Sequence, residues 1–307
     1  MDQSTYWKLV ERGLESRNRE STVEYLAEHL GHFLKKQEQV LICFPESGEN
    51  TLGGVMADAV RQCGANPVVW EADYRWKTLL QLSFFSRVTA IIGPPLILLG
   101  LSKLKRQSKT PLYIRRVITA GYPCLEWMIE GLEKGFDCKA GGCFTLGEST
   151  VVAGFACGHS LGVHIREEEY GVEIVDAAGI PVPDGELGEI VLYPKDMPHL
   201  RHPLGENARL DRRVCKCGCS APRLLDMRYG NAVDEELAQL GQDLQSWTSI
   251  LDCKINKGES GLEMEIVCFA GEKLPKLPSA EKQIIRSWNP LTDEPFRYVP
   301  ALKNAEK

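Results

Sequence analysis

Three thiols stand close together at residues 213–220, which read RVCKCGCS. Cys215, Cys217 and Cys219 occupy alternate positions, a spacing that could serve redox exchange, a disulfide or a metal site. Disulfides are rare in a reducing compartment, and Cys-x-Cys differs from the Cys-x-x-Cys of thioredoxin-like redox sites. The segment therefore indicates part of a metal site whose other ligands lie elsewhere in the chain.

Length and composition are those of a globular protein. The chain has 307 residues, of which 43% are hydrophobic and 25% charged, so it can bury a sizeable core. Its net charge of -6 gives no general attraction to nucleic acid or to an anionic membrane. We therefore expect neither as a partner, and we interpret the basic run at residues 103–109 as a solvated helix end.

The chain shows no pattern typical of a targeting or membrane segment. Residues 1–20 alternate apolar and charged positions and lack the apolar run of a signal peptide. The apolar run at residues 88–101 is broken by Pro94 and Pro95 and is too short to span a bilayer. We expect a cytoplasmic protein.

The first half of the chain alternates helical patterns with apolar runs. Helices are predicted at residues 6–14, 21–35, 55–64 and 124–135, and strands at residues 39–44, 66–72, 88–93 and 115–121. This alternation predicts an α/β fold with a parallel sheet covered by helices. After Cys143 the pattern changes to short β-rich segments separated by turns, such as residues 171–176 and 188–193.

A third unit is predicted near Asn231, with a helix at residues 234–244, strands near 249–255 and 262–269, and a helix at 280–288. We therefore expect a large domain at residues 1–230, with a β-rich subdomain at about 150–228, and a small α+β domain at 231–307.

Several segments occur in the order used by one enzyme family. Residues 117–124 (VITAGYPC), 143–150 (CFTLGEST), 181–194 (PVPDGELGEIVLYP) and 201–206 (RHPLGE) resemble motifs of the adenylate-forming (AMP-binding) superfamily. The nearest branch is that of phenylacetate-CoA ligase and coenzyme F390 synthetase. The resemblance covers roughly residues 39–228 and implies a partial adenylate-forming large domain, shortened at the N-terminus.

The resemblance implies activation of a carboxylic acid, with aryl acids among the candidates, by ATP and Mg²⁺, followed by transfer to CoA or to another thiol or amine. It assigns Glu148 as the catalytic carboxylate near Mg²⁺ and Phe144 as the aromatic residue on adenine. Glu206 is expected to bind the ribose hydroxyls. The full set that it assigns to the nucleotide and Mg²⁺ is Gly121, Tyr122, Pro123, Phe144, Glu148, Glu206 and Arg228.

Ordinary structural roles remain open for these residues. Phe144 follows a strand-like run and would then belong to the core. Glu148 and Glu206 would then be surface carboxylates, and Pro123 would end a turn before a helix, where proline is favoured.

Some members of the same branch bind zinc through a cysteine and a histidine after the glutamate motif and a later Cys-x-Cys-Gly. The matching residues here are Cys157, His164, Cys215 and Cys217. Three thiolates and one imidazole suit tetrahedral Zn²⁺ in a structural role. Cys219 and His159 are rival ligands in the same segments.

Two features of the family have no clear counterpart. No Ser/Thr/Gly-rich phosphate loop precedes residue 39, and the loop at residues 45–54 contains Glu46 and Glu49 but no lysine. No Gly-Lys motif supports Lys303 or Lys307 as the catalytic lysine. The alternative to a ligase is therefore a ligand-binding or accessory protein with the same fold. In a third interpretation, a dimer mate or partner subunit supplies the missing loop.

Overall fold

The computed structural model describes residues 19–44, 51–70, 76–108, 111–121, 125–146, 150–158, 162–228, 235–247, 249–258 and 260–288. Three predicted site residues, Tyr122, Pro123 and Glu148, lie outside these ranges. The helical pattern at residues 6–14 and the loop residues 45–50 also lie outside them.

The first half of the described chain alternates helices with short strands. The helices are α1 (Arg19–Gly31), α2 (Leu52–Gln62), α3 (Trp76–Phe85), α4 (Pro95–Ser108) and α5 (Glu126–Phe136). The strands are β1 (Gln39–Ile42), β2 (Asn66–Val69), β3 (Ala90–Gly93), β4 (Arg116–Thr119) and β5 (Lys139–Thr145). The predicted alternation is confirmed, with element ends shifted by a few residues, but α3 and α4 were not among the predicted helices.

Local sequence explains where two of these helices begin. Thr51 precedes α2, and its Oγ1 accepts a hydrogen bond from the backbone N–H of Gly54 at 3.1 Å, as in a helix N-cap. Pro95 is the first residue of α4, where the missing N–H of proline costs nothing. Within the described ranges, neither α4 nor any other helix is long and apolar enough to cross a membrane.

The first five strands form a parallel sheet in the order β2-β1-β3-β4-β5. β3 is buried along its whole length, which is typical of a parallel strand covered on both faces. The direction of the strand order reverses between β1 and β3. In doubly wound sheets, ligands bind outside the carboxyl ends of the strands near such a point.

The sheet continues through antiparallel strands, in the order β5-β6-β7-β11-β10-β9-β8. These strands are β6 (Val152–Phe155), β7 (Val163–Ile165), β8 (Tyr170–Val175), β9 (Leu187–Pro194), β10 (His202–Asp211) and β11 (Arg223–Arg228). The α/β fold class with a β-rich part is therefore confirmed.

Both faces of the large sheet carry a hydrophobic core. Cys143 and Phe144 are consecutive in β5, and their side chains belong to different cores. Successive side chains of a strand point to opposite faces. The sheet therefore lies between two apolar layers.

The last described elements form a small sheet with its own core. Helix α6 (Glu235–Ser246) and the strands β12 (Ile250–Lys257), β13 (Leu262–Phe269) and β14 (Lys282–Trp288) contribute to it, in the order β12-β13-β14. The predicted α+β composition is observed. The division of the chain at residue 230 remains a prediction.

The helix predicted at residues 280–288 is wrong, because β14 is a strand. It pairs in parallel with β13, with Ile284 opposite Glu265 and Ile285 opposite Ile266. Consecutive β-branched side chains favour an extended backbone. The pairing along β13 satisfies main-chain groups that a helix would have satisfied internally.

The prediction of a solvated helix end at residues 103–109 is wrong for Lys103. This residue is 8% exposed, and its Nζ donates to the carbonyl oxygens of Trp247, at 3.0 Å, and Ile250. A buried ammonium is tolerated when hydrogen bonds replace its water. Lys103 thus ties α4 to the turn between α6 and β12, a long-range contact that charge patterning does not reveal.

Candidate metal centre and nucleotide site

Four side chains with metal-binding donors lie together in the β-rich part of the sheet. Cys157 follows β6, His164 lies in β7, and Cys215 and Cys217 lie in the turn between β10 and β11. β7 pairs with β6 on one side and with β11 on the other. This ladder brings together the four residues that the resemblance assigned to a metal.

The distances in this cluster suit a tetrahedral ion. The ligand atoms of the four side chains all lie within 4.8 Å of one another. The Sγ atoms of Cys157 and Cys215 are 3.7 Å apart, and Cys217 Sγ is 3.5 Å from His164 Nε2. Bond lengths typical of zinc give tetrahedral edges of about 3.8 Å between two sulfurs and about 3.6 Å between sulfur and nitrogen. The donor set therefore fits zinc.

A tight turn presents the two later thiols to the cluster. The N–H of Gly218 donates to the carbonyl of Cys215 at 2.9 Å, and the N–H of Cys215 donates to the carbonyl of Cys219 at 3.0 Å. Gly218 has φ = 90°, a conformation that favours glycine. Of the two alternative ligands, Cys219 is exposed and lies outside the cluster. His159 lies outside the described residues.

The thiols are placed for a cation and not for a disulfide. The 3.7 Å between the sulfurs of Cys157 and Cys215 exceeds a disulfide bond of about 2.05 Å. Loss of hydration raises the pKa of the Cys217 thiol to about 11, and the neighbouring thiols add to this rise. A bound cation reverses this preference, because metals bind the thiolate.

Sequence reasoning did not single out two buried charges beside the thiols. Arg223 and Asp211 are 8% and 7% exposed, and Arg223 Nη2 donates to Asp211 Oδ2 at 2.7 Å. Hydrogen bonds from Arg213 chiefly lower the pKa of Asp211 to about 2. These residues flank the cysteines in sequence. Because charges in turns are usually solvated, that proximity gave no usable signal.

The two predicted nucleotide motifs that follow β4 and β5 meet at the carboxyl edge of the parallel sheet. β4 and β5 are neighbours, and the N–H of Gly121 donates to Thr145 Oγ1 at 2.8 Å. Gly121 has φ = 89°, a backbone conformation that L side chains rarely adopt. The hydrogen bond fixes the start of the first motif against the second. Tyr122, Pro123 and Glu148 continue these motifs outside the described residues.

Phe144 lies in the larger core, with 1% of its surface exposed. An aromatic platform for adenine must present a ring face to the ligand. The observed packing therefore favours a role for Phe144 in the core and not as an adenine platform.

The other two predicted nucleotide residues lie near each other on β10 and β11. Arg228 is paired with Asn207, the residue after Glu206. Asp226 accepts hydrogen bonds from Arg228 Nε at 3.1 Å and Nη2 at 2.9 Å, so it orients the guanidinium. Burial raises the pKa of Glu206 to about 8. Sequence reasoning missed Asp226. Its backbone lies in the left-handed region, with φ = 50°, which is uncommon for residues other than glycine.

A cavity of about 590 Å³ opens elsewhere on the molecule. It lies by the amino-terminal ends of β4 and β5, where Arg116 and Lys139 begin these strands, and Lys35, Glu38 and Arg115 also line it. None of the predicted site residues that the structure describes lines this cavity. It therefore carries no argument about the nucleotide.

Comparison with known proteins adds evidence about the fold. No protein-family model and no curated protein matches the sequence. A solved 2-hydroxyisobutyryl-CoA ligase in the postadenylation state superposes with a TM-score of 0.66 at 15% identity, over 82% of this chain and 58% of that one. The chain thus spans 58% of the length of that ligase chain.

Two further structures are similar over most of this chain. The amide bond synthetase McbA from Marinactinospora thermotolerans gives a TM-score of 0.58 at 14% identity, covering 86% of this chain and 62% of that one. The anthranilate CoA ligase AuaEII, in complex with anthranoyl-AMP, gives 0.57 at 14% identity, covering 87% and 59%. All three are ligases or synthetases with the same architecture. This chain has the fold of the adenylate-forming enzymes.

Proposed function

We propose that this protein is an adenylate-forming ligase of the phenylacetate-CoA ligase type, acting on a carboxylic acid, with aryl acids as the first candidates. The observation that carries this proposal is the hydrogen bond between Gly121 and Thr145. It places the starts of two nucleotide motifs side by side, at the edge where α/β sheets bind ligands. The shared fold supports the broader assignment to acyl-adenylate-forming ligases.

In the proposed reaction, a carboxylate oxygen of the acid attacks the α-phosphorus of ATP. The bond from that phosphorus to the bridging oxygen breaks, and pyrophosphate leaves with its electron pair. Bound Mg²⁺ offsets phosphate charge, and Glu148 is the proposed ligand for it. The sulfur of CoA, or another thiol or amine, then attacks the acyl carbon and loses its proton to solvent. The bond from that carbon to the phosphate oxygen breaks, and AMP leaves with the electron pair.

Glu206 and Arg228 are the proposed ribose-side residues. Because burial raises the pKa of Glu206 to about 8, its carboxyl group is largely protonated at neutral pH. A neutral carboxyl can hydrogen-bond a hydroxyl group without repelling the phosphates. Asp226 holds the guanidinium of Arg228 in place, which reduces the cost of ordering it around a ligand.

The test is equilibrium binding of ATP and of AMP, each with Mg²⁺, to the wild type and to Glu148→Ala. Glu168→Ala is the control, because Glu168 is exposed on the β7–β8 turn. We expect ATP binding that is lost in Glu148→Ala and kept in the control. Pyrophosphate release should then follow with at least one acid of an aryl and aliphatic panel. Absence of both ATP and AMP binding would overturn the proposal.

A second candidate is a binding or accessory protein with the same fold. The segment at residues 45–54, which follows β1 in sequence, carries Glu46 and Glu49 and no lysine, so its charge would repel a triphosphate. Binding of AMP without ATP, and no pyrophosphate release with any acid, would support this candidate. If a dimer mate or partner subunit supplies the phosphate loop, the mass of the protein in solution should exceed that of the single chain.

We also propose that zinc binds Cys157, His164, Cys215 and Cys217 as a structural ion. The tetrahedral edge lengths of the cluster carry this proposal. When bound, zinc cross-links the segment after β6, strand β7 and the β10–β11 turn. Protein purified without chelator should contain one zinc ion per chain. Its absence from folded protein would overturn the assignment.

A further inference from the structure

We infer that Arg223 is a positioning residue for the metal site, where its guanidinium bridges the Cys215 sulfur and the Asp211 carboxylate. This inference rests on the zinc site proposed above. It extends that site beyond its four ligands to a pair of buried charges. Outer residues of this kind hold metal ligands in place and tune their charge.

The contacts of Arg223 connect the ligand to the carboxylate through one rigid group. Arg223 Nη1 donates to Cys215 Sγ at 3.5 Å, and Nη2 donates to Asp211 Oδ2 at 2.7 Å. The side chains of Arg223 and Asp211 are only 10% and 7% exposed. A planar guanidinium with two engaged nitrogens has little freedom to rotate. It therefore restricts where the Cys215 sulfur can lie.

The same strand also orients the histidine. Arg223 is paired with His164 across β11 and β7. His164 Nδ1 is 3.2 Å from the carbonyl oxygen of Ala221. A carbonyl can only accept, so Nδ1 carries the proton and Nε2 keeps its lone pair toward Cys217. Arg223 and Ala221, at and just before the start of β11, thus contact one thiol ligand and the imidazole ligand.

Charge balance gives a reason for an arginine at this position. Zinc with three thiolates and a neutral imidazole carries a net charge of about -1. Arg223 and Arg213 each add a positive charge, and Asp211 adds a negative one. Arg213 Nε donates to Asp211 Oδ1 at 2.9 Å. Contacts therefore connect Arg213, through Asp211 and Arg223, to the Cys215 sulfur. The cluster, Arg223 and Asp211 together keep a charge of about -1, and Arg213, whose side chain is 85% exposed, offsets it from the surface.

The experiment measures zinc affinity by chelator competition in the wild type, Arg223→Gln and Arg223→Lys. Arg212→Gln is the matched control, because Arg212 is exposed and pairs with Asp184 at 3.4 Å. We expect Arg223→Gln to weaken zinc binding about 10- to 100-fold, the usual effect of losing an outer partner. Arg223→Lys should recover part of the loss, and Arg212→Gln should stay within about twofold.

Cobalt substitution supplies a readout that does not depend on activity. The thiolate-to-cobalt absorption bands of Arg223→Gln should shift relative to wild type, because the Cys215 sulfur loses a hydrogen-bond donor. Unshifted bands together with unchanged zinc affinity would overturn this inference alone. A wild type that binds no zinc would overturn the metal site and this inference with it.

Asp211→Asn provides a second variant if Arg223→Gln does not fold. It keeps Arg223 but removes the charge that anchors its guanidinium. We expect a loss of zinc affinity of about 3- to 10-fold, smaller than for Arg223→Gln. Circular dichroism verifies that the variant is folded. A folded Asp211→Asn with wild-type zinc affinity and cobalt spectrum would contradict the positioning role.

Discussion

The metal cluster and the nucleotide residues differ in how the fold brings them together. The metal ligands lie within 4.8 Å of one another, around three strands that pair as neighbours. Among the predicted nucleotide residues, Gly121 is hydrogen-bonded to Thr145 at the ends of β4 and β5, whereas Glu206 and Arg228 lie on β10 and β11. β10 is four strands from β5 in the sheet order. Backbone pairing brings the first group of residues together, whereas the two parts of the second lie on strands that are not neighbours.

This difference predicts separate effects of mutation. Changes at the metal cluster should act on stability, because the ion cross-links segments far apart in sequence. Changes at the nucleotide residues should act on ligand binding, with smaller effects on stability. The following experiments test that separation.

The largest expected effect is that of Cys157→Ser. Loss of one thiolate leaves three donors and a partly buried cluster of thiols without a firmly bound ion. We expect loss of stoichiometric zinc and a fall in melting temperature of about 10 °C or more, which corresponds to several kcal/mol for a chain of this size. Differential scanning calorimetry with metal analysis measures both.

Cys219→Ser is the control for this variant. Cys219 lies in the same turn, is exposed and is not among the clustered donors. It should therefore keep its zinc and its melting temperature. Equal destabilisation by both serine variants would remove the distinction between ligand and bystander thiols.

The next effect in size is that of Thr145→Val at the carboxyl edge. The N–H of Gly121 loses its Thr145 acceptor, and an unsatisfied buried N–H costs about 1–3 kcal/mol. We expect a modest loss of stability and a larger relative loss of AMP binding, because the start of the first nucleotide motif is released. Urea unfolding and calorimetric titration with AMP separate the two.

Thr119→Val makes the same chemical change one strand away. Thr119 is fully buried in β4, and its hydroxyl donates to the carbonyl of Gly141 at 3.3 Å. It should lose stability without a specific loss of AMP binding. If both valine variants weaken AMP binding equally, the Gly121–Thr145 contact is not a binding feature.

The sequence predicted most of the large sheet because its signals are local. Buried runs such as residues 90–93 and 116–119 indicate strands without knowledge of their partners. The helix predicted at residues 280–288 failed because β14 depends on pairing with β13, a long-range contact. The burial of Lys103 was missed for the same reason, since its acceptors come from residues 247 and 250.

The candidate sites show the same limit. The four clustered donors could be selected because the resemblance assigned them, from an earlier cysteine and histidine and a later Cys-x-Cys-Gly. Arg223, Asp211 and Asp226 could not, because charged residues are common in turns and strand ends. Only the contacts of Arg223 with Cys215, of Asp211 with Arg223 and of Asp226 with Arg228 give them a role.

The smallest expected effect is the pH dependence of Glu206→Gln. Burial raises the pKa of Glu206 from 4.5 to about 8, so the folded state holds the proton more tightly than the unfolded state. The wild type should therefore lose stability as the pH rises between these values. We expect the loss to be on the order of 1 kcal/mol, because the partly exposed carboxylate keeps some hydration. Glu206→Gln should lack this loss and be the more stable protein at pH 9.

Urea unfolding at pH 5 and pH 9, with exposed Glu168→Gln as the control, measures the difference. A difference between wild type and Glu206→Gln that is the same at both pH values would show that Glu206 is not held protonated, and the argument for a neutral ribose-binding carboxyl would fail with it.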